Sequence, residues 1–300
     1  MAVIELNEVS KIYGLGDAMT LALDEVTLGI DEGEFVGVMG PSGCGKSTLM
    51  NVIGMLDHPT HGGYQFHNQP VERIRPLRRA KIRRDGIGFI FQSFNLLPRL
   101  TVLENVALPL EYKGVLPRRR MQLASDMLER VGMRSREFFF PRQLSGGQAQ
   151  CVAIARALVN SPKIIIADEP TGNLDSNASR LVMELLADIH RQGNTVIMVT
   201  HNPELTRYAT RVLYMHDGQI VHDEQTKLGE VAPTANEMLR TPLGRSVDDD
   251  LAGVSALMDA VPGTTAEPDA DPLMEKAKKR ASQKKKSTQR RNTKRKAAKK

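Results

Sequence analysis

The chain has 300 residues, 41% of them hydrophobic and 4% aromatic, with 41 Lys/Arg against 35 Asp/Glu for a net charge of +6, and two cysteines. That length and apolar content suit one or two domains with a full core and exclude a disordered or fibrous chain. No apolar run approaches the roughly 18 residues that a spanning helix needs, and residues 1–6 lack the basic-then-apolar pattern of a signal peptide, so a cytosolic chain that meets membranes only by docking is expected.

In chain order, residues 1–92 read as strands, interrupted by Asp31-Glu32-Gly33-Glu34 and by the loop Gly40-Pro41-Ser42-Gly43-Cys44-Gly45-Lys46-Ser47. The loop follows the apolar run Phe35-Val36-Gly37-Val38-Met39 and leads into a helix-like stretch that begins at Thr48. Strand, Gly-rich loop and helix are the context that G-x-x-x-x-G-K-[ST] requires. Glycines let backbone N–H groups turn toward phosphate oxygens, and a helix N-terminus adds partial positive charge. Lys46 is expected to reach the β- and γ-phosphates of a nucleotide and Ser47 to ligate Mg²⁺. Gln92 follows a second strand-like run, Ile87-Gly88-Phe89-Ile90-Phe91.

Residues 93–157 read as mostly helical, with helical apolar spacing at Met121, Leu123, Ala124, Met127, Leu128 and Val131. Phe138-Phe139-Phe140-Pro141 reads as core, with a groove for a partner as the alternative. It precedes Leu144-Ser145-Gly146-Gly147-Gln148, about 100 residues after the phosphate loop. Residues 158–222 return to alternating strand and helix. Ile164-Ile165-Ile166-Ala167 ends in Asp168-Glu169, a buried parallel strand opening into a site. Asp168 suits Mg²⁺, and Glu169 is placed to polarise an attacking water. Val196-Ile197-Met198-Val199 leads to Thr200-His201 at the end of another such strand. A parallel sheet with a helical insertion is the economical architecture. Cys44 and Cys151 are expected to be unpaired, Cys44 as a small space-filler.

Beyond about residue 225 the composition changes. Residues 226–272 suggest a linker with short helices at most, and residues 273–300 a disordered tail. Residues 276–300 hold 14 Lys/Arg and no acid, leaving 27 Lys/Arg against 35 Asp/Glu, a net −8, in the rest of the chain. For the tail, solvation, contact with anionic lipid and non-specific nucleic-acid contact compete. Specific nucleic-acid binding is not expected, because no aromatics interleave to stack bases.

The order of these strings resembles an ATP-binding-cassette (ABC) ATPase over about residues 1–225. The resemblance implies an α/β P-loop fold with a parallel-sheet core, an antiparallel β subdomain and a helical signature lobe at about 93–157. It implies that Gly40, Pro41, Ser42, Gly43, Cys44, Gly45, Lys46, Ser47 and Thr48 form the Walker A site. Tyr13, in Ser10-Lys11-Ile12-Tyr13-Gly14, would stack on adenine. Gln92 would be the Q-loop glutamine, sensing Mg²⁺ and the transport partner. Ser145, Gly146, Gly147 and Gln148 would contact ATP held by the other subunit of a homodimer, beside the D-loop residue Asp175. Asp168, with Ser47 and Gln92, would hold Mg²⁺; Glu169 would be the base and His201 the switch histidine.

Ala167-Asp168-Glu169-Pro170-Thr171-Gly172-Asn173-Leu174-Asp175-Ser176 narrows the likeness to the branch of lipoprotein-release, macrolide-export and cell-division ATPases. Such a protein would sit at the inner face of the cell membrane and drive a permease with a large extracytoplasmic domain. An ATP-gated regulatory role with little cargo movement is the alternative. One departure stands out: Cys151 occupies a position where this family has arginine, and the loss falls on signature-helix positioning.

Overall fold

The computed structural model describes residues 2–14 and 18–232. The expectations for 233–300, including the basic tail, lie outside the described residues. Among the described residues, ten strands and six α-helices follow in this order: β1 (Ala2–Tyr13), β2 (Thr20–Asp31), β3 (Phe35–Met39), α1 (Lys46–Ile53), β4 (His61–Phe66), β5 (Gln69–Pro70), α2 (Pro76–Gly86), β6 (Ile87–Phe91), α3 (Val102–Tyr112), α4 (Pro117–Arg130), α5 (Gly146–Leu158), β7 (Ile164–Asp168), α6 (Ser176–Arg191), β8 (Thr195–Val199), β9 (Arg211–His216) and β10 (Gln219–Gln225).

Two sheets form. One is antiparallel, in the order β2-β1-β4-β5. The other has the order β10-β9-β3-β8-β7-β6, parallel except for the terminal hairpin β9–β10. β3 and β8 are buried along their whole length, as strands covered on both faces must be. The period-2 alternation divides them cleanly. Phe35, Met39, Ile165, Ala167, Val196 and Met198 face one core, shared with α3 to α6. Val36, Val38, Ile164, Ile166, Ile197 and Val199 face a second, shared with the antiparallel sheet and α1.

The register decides where chemistry can occur. Val38 pairs with Val199, Val199 with Asp168, and Asp168 with Phe91. One row across the sheet therefore carries the last residues of three parallel strands. The loops that leave it bear Gln92, Glu169, His201 and the Gly40 turn on one edge, where open α/β sheets place ligands.

Three expectations need correction. Residues 1–92 are not strands and loops alone after α1: α2 occupies Pro76–Gly86, started by Pro76 at its first turn. It buries no side chain, so it lacks the apolar stripe that announces a helix in sequence. Phe138 is 72% exposed and Phe140 also lies at the surface, and only Phe139 packs on the core. Finally, packing does not stop with β10. Thr226 N–H donates to Thr210 O, and buried Ala232 donates to Thr206 Oγ1.

Candidate nucleotide site

The phosphate loop turns tightly between β3 and α1. Pro41, Ser42 and Gly43 are exposed at its tip, Cys44 is buried beneath it, and Ser47 opens to solvent on the first turn of α1, with Thr48 half-buried behind it. Gly45 stands just before α1 at φ 102°, and a Cβ there would sit 2.4 Å from Ala22 O. A side chain is excluded on both counts. The Lys46 side chain, 8% exposed, folds back over the loop; its Nζ donates to Gly40 O at 2.9 Å and Pro41 O at 2.7 Å, with Cys44 Sγ at 3.8 Å. The loop thus curls around its own ammonium.

At the ends of β7 and β8, His201 Nδ1 lies 2.7 Å from Glu169 Oε1. A carboxylate oxygen accepts, so this nitrogen is the donor. Glu169 holds a left-handed backbone, φ 47°, anchored by its N–H to Val199 O at 2.9 Å and by Gly172 N–H to its carbonyl at 3.0 Å. That turn swings its carboxylate away from the strand direction, toward His201. Burial, and then the neighbouring Glu169 charge, push Asp168 above the usual carboxylate range, against the pull of Lys46. The two acids and the loop lysine therefore share one field. Gln92 leaves β6 exposed, against Gly172, where an added Cβ would meet Gln92 Nε2 at 2.6 Å.

Tyr13 closes the same end of the molecule. Its hydroxyl donates to Asp57 Oδ2 at 2.8 Å, and Asp57 Oδ1 also accepts from Lys11 at 2.8 Å. Burial and Asp57 together raise the phenol pKa, while Thr48 of α1 is near enough to oppose them. Its ring is partly exposed beside α1 and is not a core side chain.

The signature turn is elsewhere. Ser145 precedes α5 and forms a capping box: its Oγ accepts from Gln148 N–H, and Gln148 Oε1 accepts from Ser145 N–H at 3.1 Å. Asp175 caps α6 in the same way, accepting from Ala178 N–H at 2.9 Å. The two helix starts touch: a Cβ on Gly147 would lie 2.7 Å from Ala178 Cβ, and one on Gly146 3.2 Å from Leu174. The cavity beside Ser145, about 200 Å³, is lined by residues of 93–96 and 141–149 and by no residue of the phosphate loop.

The family model for the ABC transporter matches residues 23–172. The ABC transporter ATP-binding protein YvrO of Bacillus subtilis is 48% identical over 222 residues, 74% of this chain and 97% of its own length. The chain belongs to the ABC transporter ATP-binding family. Marinobacter nauticus MacB, a macrolide export ATP-binding/permease protein, is 46% identical over 73% of this chain, which spans 34% of MacB. Among solved structures, the ATP-binding cassette MJ0796, dimeric and bound to ADP and Pi, superposes with a TM-score of 0.70 at 44% identity, covering 75% of this chain and 99% of that one. This cassette is thus an ATPase subunit with the P-loop ABC fold.

Two cassette residues escaped sequence reasoning. Gln150, fully buried on α5, donates from Nε2 to Pro170 O at 2.7 Å and lies 3.5 Å from Phe91 O. It ties the signature helix to the backbone just after Glu169 and just before Gln92. Its only sequence signal was a polar residue on the buried side of an otherwise apolar helix. Arg156 donates to Asn95 O at 2.5 Å and Phe94 O at 2.8 Å, holding the segment after Gln92. Cys151, on the same helix, is 3% exposed in the core. Burial pushes its thiol up to about 11, and both cysteines are free.

The donor set fits Mg²⁺ held jointly with nucleotide. The described residues contain no cluster of three His, Cys, Asp or Glu that would cage an ion. Mg²⁺ commonly takes one or two carboxylates and completes its shell with phosphates and water. Asp168, its ionisation opposed by burial and by Glu169, supplies the charge that such an ion would compensate.

Proposed function

We propose that this cassette works as a head-to-tail homodimer that closes on two ATP molecules and drives a separate membrane permease. The observation that carries this reading is the separation within one chain of two sets of phosphate-seeking groups. Lys46 and the α1 N-terminus stand at one sheet edge, while Ser145 and the α5 N-terminus border a cavity that no phosphate-loop residue lines. A second copy would bring Ser145 and Gly147 to the γ-phosphate held by Lys46, with Asp175 between the two sites. Nucleotide binding then requires the Lys46 ammonium to exchange the Gly40 and Pro41 carbonyls for phosphate oxygens, and Tyr13 to offer its exposed ring to adenine.

In hydrolysis, water attacks the γ-phosphorus and the bond to the β–γ bridging oxygen breaks, giving ADP and phosphate. Glu169 accepts the proton of the attacking water, and His201, already bonded to that carboxylate, fixes its direction. Ser47, Asp168 and Gln92 would hold Mg²⁺, which would supply neutralisation of the phosphate charge.

No helix among the described residues is long and apolar enough to cross a membrane; the cassette docks on the cytoplasmic side of its permease. We place its contact in the groove of about 770 Å³ bounded by α2, β6 and α3, which reaches Phe91 beside Gln92. The likeness to MacB, which is named for macrolide export, supports export as the direction; a permease with a large extracytoplasmic domain is part of the same proposal.

Glu169→Gln is the test. Turnover should fall about 10²- to 10⁴-fold while ATP binding persists and a dimer accumulates on size exclusion with Mg-ATP. Wild-type turnover in this variant would remove Glu169 from the base role. The trapped variant, used as bait on solubilised membranes, should recover a permease; recovery of soluble partners alone would sink the transport reading.

A further inference from the structure

Two residues apart at the end of β1, Lys11 and Tyr13 reach one carboxylate. Asp57 Oδ2 accepts from the Tyr13 hydroxyl at 2.8 Å. Asp57 Oδ1 accepts from Lys11 Nζ at 2.8 Å and from the His58 N–H at 2.7 Å. Lys11 also donates to His58 O at 3.0 Å. Burial opposes ionisation of Asp57, but the bonds from Lys11, His58 and Tyr13 outweigh it and hold the carboxyl below its usual range. Lys11 is only 7% exposed, and an ammonium so deeply placed needs such a partner.

Asp57 belongs to the phosphate half of the site. It lies just past α1, and the Leu56 and Asp57 N–H groups both donate to Asn51 O, at 2.9 and 3.0 Å, which ties this turn to the helix. The first turn of α1 carries Lys46 and Ser47. Tyr13, by contrast, ends a strand of the four-stranded sheet, whereas the phosphate loop leaves β3 of the six-stranded sheet. Asp57 therefore joins the group offered to the base to the groups offered to the phosphates. The Tyr13 ring is held on a second side. Lys11 Nζ lies over it, 4.9 Å from the centroid, a cation–π contact that covers one face. A base can stack only on the other. A tyrosine at a strand end has several staggered χ1 positions open to it; a tether at the hydroxyl and a cation over one face select one of them before nucleotide arrives.

We propose, resting on the reading that Tyr13 meets adenine, that Asp57 and Lys11 are positioning residues for the adenine end of the site. They hold the ring in its stacking orientation, so that ordering it adds nothing to the cost of binding ATP. Loss of the tether weakens ATP by the cost of immobilising one side chain, roughly 3- to 10-fold. The phosphate end, built from the loop and the first turn of α1, keeps its affinity.

The test uses the full chain with Mg²⁺ chelated, so that affinities are read without turnover. It compares ATP with inorganic tripolyphosphate, which has no base. Tyr13→Phe keeps the ring and removes the tether. Asp57→Ala removes the acceptor; thermal melts check that it folds, and Tyr13→Phe alone decides if it does not. Each variant should bind ATP roughly 3- to 10-fold more weakly and tripolyphosphate within about twofold of the wild type. The double variant should bind ATP no more weakly than Asp57→Ala. Tyr13→Ala separates the two claims. If it weakens ATP while Tyr13→Phe does not, the ring stacks without a tether: the positioning role falls and the adenine reading stands. If Tyr13→Ala binds ATP as the wild type does, Tyr13 lies outside the nucleotide site and both fall. An equal loss for tripolyphosphate would show a general loosening around α1 and would also overturn the positioning role.

Discussion

Replacing Gly147 by alanine separates packing from nucleotide contact at the signature turn. The added Cβ would lie 2.7 Å from Ala178 Cβ, about 1 Å inside an ordinary carbon contact. Overpacking of this kind costs about 1–3 kcal/mol, offset by about 0.5–1 kcal/mol because alanine suits a helix better than glycine. The net loss is about 1 kcal/mol, or roughly 2–4 °C in Tm for a unit of this size. Ala178→Gly alone should cost about 1 kcal/mol through helix propensity. Together the two changes remove the clash, so the double variant should be about as stable as the wild type, some 2 kcal/mol better than additivity. Urea denaturation of the four proteins measures this coupling. Additivity within about 0.5 kcal/mol would refute the claim that α5 and α6 meet through Gly147. If the refolded double variant hydrolyses ATP normally, packing is the whole role of Gly147; if it is stable and inactive, the glycine also admits the nucleotide held by the other subunit.

Two further outcomes follow from the geometry. Asp168→Asn should raise Tm at pH 7. Burial and Glu169 lift the folded-state pKa of Asp168 above its ordinary 3.8, so the native state binds the proton more tightly than the unfolded chain. Stability is therefore lost as pH rises from 3.8 through the folded value, so the advantage of Asn is complete above that value and should shrink as pH falls toward 3.8; an advantage constant across that range would show that charge is not the cause. Asn105→Leu should cost about 3 kcal/mol, because fully buried Asn105 accepts from Leu97 N–H at 2.8 Å and donates to Leu97, Leu100 and Thr101 carbonyls. Thermal melts and hydrogen exchange at Leu97 read this out, and a loss under 1 kcal/mol would mean that water replaces the amide.

The sequence by itself determined the features that contiguous residues enforce. The spacing of Gly40, Gly45, Lys46 and Ser47 between an apolar run and a helix dictates a phosphate loop, because the turn and the helix start are local backbone geometry. The Ser145–Gln148 capping box, three residues apart, is local in the same sense, and so is the burial of Ile164 to Ala167 ahead of Asp168. The tertiary structure decided what no short window encodes. Sheet register set Phe91, Asp168 and Val199 in one row and so brought Gln92, Glu169 and His201 to one edge. The donation of Gln150 to Pro170 spans 20 residues of chain, and the contact of Gly147 with Ala178 joins two helix starts. Helix α2 was illegible because it buries nothing, leaving no apolar period to read. Phe138 and Phe140 misled for the converse reason: apolar character favours burial, but whether a neighbouring element covers a side chain depends on where the rest of the chain passes.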